Sequence, residues 1–280
     1  MENNNYNQEV IKNVKQHVGD KLKNLVYSKT EGALESVHHD VGVMFMYQAS
    51  SGVLEILNTD NKRHYLDGYI LDISTIETLY NEYSSIGNGL QFNFIFLTRD
   101  EYVKLTGDSS VLDISELSNE FLYLVVTPLD NHNNPFNRHF VIFNLNYAFD
   151  INSIIVSESD FITLRNNFLR NNLYEATSTY SSPKDGSVLL RYTWDNLKEI
   201  MNETNSSREK YRQVQFILGE VTPYKILSDF FRRNPQYGLD EPKYRRAYSD
   251  HEKQLTVVGM YLPEEINGKE GYFDMGSLYP

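Results

Sequence analysis

The chain has 280 residues, 40% hydrophobic and 23% charged, with no cysteine and a net charge of −12. That composition belongs to a folded chain with a sizeable core and excludes disulfides, thiolate metal sites and cysteine nucleophiles. No apolar run approaches the 18 or so residues of a membrane-spanning helix, and the start, Met1 to Asn5, is polar, so neither a membrane partner nor a signal peptide is expected.

Asparagine occurs 28 times, tyrosine 21 times and alanine 5 times. Such a bias follows from an AT-rich genome. Tyrosine also suits contact surfaces, because a flat apolar body with a polar tip freezes few rotors. The charge is uneven: residues 1–204 carry 15 basic and 27 acidic side chains, residues 205–280 carry 11 of each. A body so acidic repels phosphate at long range, which argues against general nucleic-acid binding and also serves ordinary solubility.

In chain order, Ile11, Val14, Val18, Leu22 and Leu25 recur at helical spacing and predict an amphipathic helix over about 7–27, docked on its own body or on a neighbouring subunit. The runs Val41 to Tyr47 and Val53 to Leu57 read as two strands of a hairpin turning through Ser50, Ser51 and Gly52. A third strand passes through Tyr69–Leu71. Ser74 and Glu77 have capping-box spacing and predict a helix to about Tyr83. Leu90–Leu97 is a strand, with Phe92, Phe94 and Phe96 at two-residue period. Thr98 and Glu101 form a second capping box, for a helix ending near Gly107. Glu120–Val126 is apolar on both faces and so belongs centrally in a sheet. His139–Tyr147 is expected to return as its antiparallel partner after a loop from Pro128 to Arg138.

Ile151–Val156 reads as a short strand, and Ser157 opens a helix to about Leu173. Thr177–Gly186 is turn-rich. Val188–Tyr192 is a strand, followed by a helix carrying Trp194, Leu197, Ile200 and Met201. Tyr211–Leu218 is a strand, and Thr222 with Pro223 starts a helix from Tyr224 to about Arg233. Residues 234–280 hold four of the eight prolines and five of the fifteen glycines, yet carry Tyr237, Tyr244, Tyr248, Tyr261, Tyr272, Phe273 and Tyr279. They read as an extended arm, lying on another molecule or wrapped on its own domain. The expected class is α+β, with a mixed or mostly antiparallel sheet, flanking helices and that arm. The expected divisions are 1–30, 31–233 and 234–280.

Chemistry-bearing motifs are sparse. His38, His39 and Asp40 are metal-competent types, and His132 and His139 would complete a site only if the fold gathered them; the spacing itself specifies no ion. There is no nucleophile elbow, phosphate loop or dinucleotide fingerprint, so neither an enzyme activity nor a cofactor is expected. The strongest signal lies within 222–248. Lys225, Arg232, Arg233, Lys243, Arg245 and Arg246 stand against Asp229, Asp240 and Glu241, interleaved with Tyr224, Phe230, Phe231, Tyr237, Tyr244 and Tyr248. A basic aromatic patch on an acidic body suits docking onto an identical copy, because head-to-tail contacts close rings or extend filaments. Lys225, Phe230, Phe231, Arg232, Arg233, Tyr237, Tyr244, Arg245, Arg246 and Tyr248 are therefore the candidate interaction residues.

The Asn- and Tyr-rich, cysteine-free chain, its compact body and its aromatic tail resemble the virion structural proteins of tailed phages. The likeness is to the connector, ring and capsid-auxiliary proteins of phages such as the crAss-like group. That resemblance implies assembly in the host cytoplasm into a virion, with identical subunits and portal or tail components as partners. It also implies DNA passing without specific binding. Two alternatives stay open: a metal-dependent enzyme or effector using His38, His39 and Asp40, and a nucleic-acid accessory protein.

Overall fold

The computed structural model describes residues 39–153, 155–181, 189–204, 208–235, 251–262, 272–273 and 277–279. The expected helix over 7–27 lies outside them. The architecture is α+β: a mixed sheet and a smaller antiparallel sheet, with helices packed around both.

Chain order begins with two helices, α1 (His39–Ser51) and α2 (Val53–Ile56), where the sequence suggested a hairpin. Phe45, Ala49 and Val53 are fully buried at four-residue spacing, the helical signal that the β-branched run obscured. Ser50 and Ser51 are not turn residues. Their hydroxyls donate back to the carbonyls of Tyr47 and Gln48.

Strands β1 (Asn58–Thr59), β2 (Lys62–Tyr65) and β3 (Tyr69–Asp72) follow. Helix α3 (Ile73–Tyr83) starts one residue before Ser74, so Ser74 is no cap; Asp72 precedes the helix and accepts instead from the Gln213 amide at 2.7 Å. The long antiparallel pair β4 (Gly87–Thr98) and β5 (Leu117–Asp130) forms the centre of the main sheet, in register from Leu90 opposite Pro128 to Thr98 opposite Glu120.

Between them runs α4 (Arg99–Thr106), entered through the expected capping box. Thr98 Oγ1 accepts from the Glu101 N–H at 3.2 Å, and Glu101 accepts from the Thr98 N–H at 2.8 Å. Gly107 ends the helix at φ 72°, a conformation that favours glycine. The Arg99 guanidinium then gathers the next loop. It donates to the carbonyls of Val111 at 3.0 Å, Leu112 at 3.2 Å, Ile114 at 2.7 Å and Ser118 at 3.1 Å, and also to that of Leu117.

Of the expected strand 139–147, only β6 (His139–Phe140) pairs with β5; β7 (Ile155–Val156) pairs with β6. The remainder leaves the ladder but stays buried through Phe143. There Asn144 covers the outer border of β3: its backbone N–H donates to the Ile70 carbonyl and its side-chain oxygen accepts from the Ile70 N–H, both at 2.7 Å.

Helix α5 (Glu158–Leu169) is capped by Ser157, whose hydroxyl accepts from the Asp160 N–H at 3.1 Å. After it come α6 (Asn172–Tyr180), β8 (Leu189–Thr193), α7 (Trp194–Asn202), β9 (Gln213–Glu220) and α8 (Tyr224–Arg233). On α7, Trp194, Leu197, Ile200 and Met201 are all buried, as their spacing implies. Thr222 is not the cap of α8. The N–H of Tyr224, in the first turn, donates to the Glu252 carboxylate at 2.8 Å.

The described part of the aromatic tail enters the fold. Strand β10 (Leu255–Leu262) pairs with β9 from Leu255 opposite Glu220 to Leu262 opposite Gln213, with β11 (Tyr272–Phe273) beyond it. Strand β12 (Ser277–Tyr279) pairs with β8 in the main sheet. The strand orders are β1-β2-β5-β4-β8-β12, with β6 and β7 beside β5, and β11-β10-β9-β3. The two sheets share one apolar cluster, where Phe216 of β9 meets Phe92 edge-on at 5.7 Å between ring centres. Leu255, Val257 and Tyr261 belong to that cluster, which explains why the tail's single apolar run turns inward.

Candidate interaction surface and a buried polar row

Helix α8 is two-sided. Leu227 is fully buried against Phe45 of α1, Val221 and Val258, and Phe231 packs on the same cluster. Lys225, Ile226, Arg232 and Arg233 are exposed. At 100° per residue these four fall within one outward arc, with Asp229 among them. Arg232 pairs with Asp229 at 2.9 Å, and Lys225 and Arg233 make no ion pair among the described residues. Two cations in the last turn also suit the negative end of the helix dipole.

The structure thus divides the expected patch. Lys225, Arg232 and Arg233 share an exposed face. Phe230 and Phe231 are half-buried and touch each other at 5.7 Å, so Phe231 belongs to the seat of the helix as much as to its surface. Tyr237, Tyr244, Arg245, Arg246 and Tyr248 lie outside the described residues.

The histidines fall differently. His38 lies outside the described residues, and His39 begins α1. His132 is exposed in the loop after β5, where its N–H donates to Asp130 at 2.7 Å. His139 is 2% exposed and stacks on Phe161 at 3.8 Å. Its Nδ1 lies 2.7 Å from Thr127 Oγ1 and its Nε2 lies 2.7 Å from Glu158 Oε2, so both nitrogens are engaged. Among the described residues no group of three or more metal-ligating side chains is gathered.

His139 ends a row of polar side chains that sequence reasoning passed over. Strand register sets Arg191 opposite Gln91 and Gln91 opposite Thr127. Pairing of Val126 with Phe140 sets Thr127 opposite His139. One level of the sheet therefore carries four polar residues from four strands.

The bonds along this row run in one direction. Arg191 Nε donates to Gln91 Oε1 at 3.1 Å, Gln91 Nε2 to Asn93 Oδ1 at 2.7 Å, and Asn93 Nδ2 to Thr127 Oγ1 at 3.1 Å. Because Thr127 accepts from Asn93, its own proton is left for His139 Nδ1. The ring's single proton then sits on Nε2, facing the Glu158 carboxylate. Burial pulls the imidazole below its usual range, and Glu158 opposes that shift. Gln91, Asn93 and Thr127 are each at most 3% exposed, so their amides and hydroxyl are stable there only because they bond one another. The available sequence signal was a polar residue at alternate positions inside an otherwise apolar strand.

A second buried carboxylate, Glu220, is 1% exposed. It accepts from the Val53 N–H at 2.8 Å and from the Tyr180 hydroxyl at 3.2 Å. Burial raises the Glu220 carboxyl above its usual range. Tyr180 is pushed up to about 12 by burial and by the Glu220 charge. Gly52 leaves room for this carboxylate: a Cβ there would stand 2.0 Å from Glu220 Oε2 and displace it.

No helix among the described residues is long and apolar enough to cross a membrane. No family model, no curated protein and no solved structure matches the chain.

Proposed function

We propose that the protein is a structural subunit of a tailed-phage virion, joining identical copies into a ring or connector at the head–tail junction or tail, with portal or tail components as its other partners. The observation that carries this reading is the outward face of α8. Lys225, Arg232 and Arg233 stand there around the exposed Ile226, on a chain whose net charge is −12. A positive face on a negative body attracts the body of the next copy, steers its approach and disfavours self-facing contacts. Contacts of that head-to-tail kind close into rings. An acidic lumen would let DNA slide past without holding it.

Sedimentation and native mass measurement of the full chain at low and high salt test the reading. A defined oligomer at low salt supports it, as does its loss in Lys225→Glu/Arg233→Glu with an unchanged melting temperature. A wild-type chain that stays monomeric at high concentration and low salt, or an oligomer indifferent to the charge reversal, overturns it. Salt-dependent retention on DNA that the same reversal abolishes, with no oligomer, also overturns it in favour of nucleic-acid binding.

A further inference from the structure

Helix α5 and the segment from Pro135 to His139 line a half-open cavity of about 210 Å³ over the end of the polar row. Gln91 and His139 form part of its floor, and their polar atoms are already committed. Two charged groups on the wall each keep one polar atom without a partner among the described residues. Arg165 Nε is sealed from solvent and has no acceptor. Glu158 uses Oε2 for His139, and no bond among the described residues uses its Oε1. A shielded guanidinium donor without a partner is costly and calls for an occupant. Phe136 and Leu169 supply apolar wall, and Asn166 an amide.

We infer that this cavity binds a free aliphatic α-amino acid, its carboxylate on Arg165 and its ammonium on Glu158. A guanidinium takes a carboxylate through two parallel N–H bonds, which sets the polarity of the ligand. Glu158 and Arg165 are seven residues apart, two turns along one face of α5, so both side chains line the same pocket. The volume equals that of about seven liquid waters, which suits valine or leucine and excludes a nucleotide. The apolar wall receives the side chain.

Calorimetry and saturation-transfer NMR on the full chain, with L-valine, L-leucine, L-leucinamide and 4-methylpentanoate, test the site. Valine or leucine binds at millimolar concentration or tighter. Leucinamide, lacking the carboxylate, and 4-methylpentanoate, lacking the ammonium, each bind at least tenfold more weakly. Arg165→Gln weakens the amino acid at least tenfold without lowering the melting temperature, since no bond among the described residues involves the Arg165 side chain. Absence of binding by valine and leucine overturns the assignment, as does equal binding of either truncated probe or an unaltered affinity in Arg165→Gln. None of these outcomes depends on whether the chain assembles.

Discussion

Thr127 Oγ1 and His139 Nδ1 lie 2.7 Å apart inside the main sheet, on neighbouring strands, and their bond ends a row whose direction is set by Arg191, which can only donate. Were the imidazole protonated, Nδ1 would become a donor facing a donor. Thr127 would have to turn its proton away, and the buried side of the sheet offers it little to meet.

Replacing Thr127 with valine keeps the shape and removes the hydroxyl. His139 Nδ1 then loses its donor, and Asn93 Nδ2 keeps only its bonds to the carbonyls of Val125 and Gln91. The expected loss is about 1–3 kcal/mol, read as a lower urea midpoint at unchanged slope. Thr127→Ser, which restores the hydroxyl, recovers most of it.

Stability also depends on pH through His139. Burial holds the native imidazole below the ordinary 6.5, so the unfolded chain takes up this proton at a higher pH than the native chain does. The contribution is complete above 6.5, declines as pH falls through 6.5 and levels off below the lowered native value. Glu158 props the imidazole up, so Glu158→Gln lowers the native pKa further and widens the window of loss. An imidazole NMR titration with urea midpoints between about pH 7 and 5 checks both; a His139 titrating above 6.5 contradicts them.

Arg99 stands beside the 111–118 segment as a bound cation would, its guanidinium gathering five of that segment's backbone carbonyls. Lysine carries one ammonium instead of a planar fork and cannot span them. Arg99→Lys is expected to cost about 1–3 kcal/mol. Amide exchange should accelerate in 108–117 and remain slow in β4, which hydrogen-exchange mass spectrometry resolves.

What the sequence makes legible is local. Thr98 and Ser157 announce their helices because a cap and its acceptor lie three residues apart. The four buried positions of α7 announce their face because helical spacing repeats over two turns. Phe45, Ala49 and Val53 carry a helical spacing too, but the run Val41 to Tyr47, with Val41, Val43, Phe45 and Tyr47 at two-residue period, fits a strand equally well, and only burial chose. The polar row was out of reach for another reason. Arg191 and Gln91 are one hundred residues apart, so nothing short of strand register brings them together. On α8 the sequence shows the cations as part of a basic aromatic cluster without saying which way they face, and Phe231 needed the α1 surface to reveal which way it turns.

Asn144 occupies both outward backbone groups of Ile70, and with them the free rail of the small sheet. An incoming ribbon from another chain finds no ladder to climb at that border, which removes one route to fibrous aggregation. Whatever partner approaches from that side must be recognised by side chains, not by main-chain pairing.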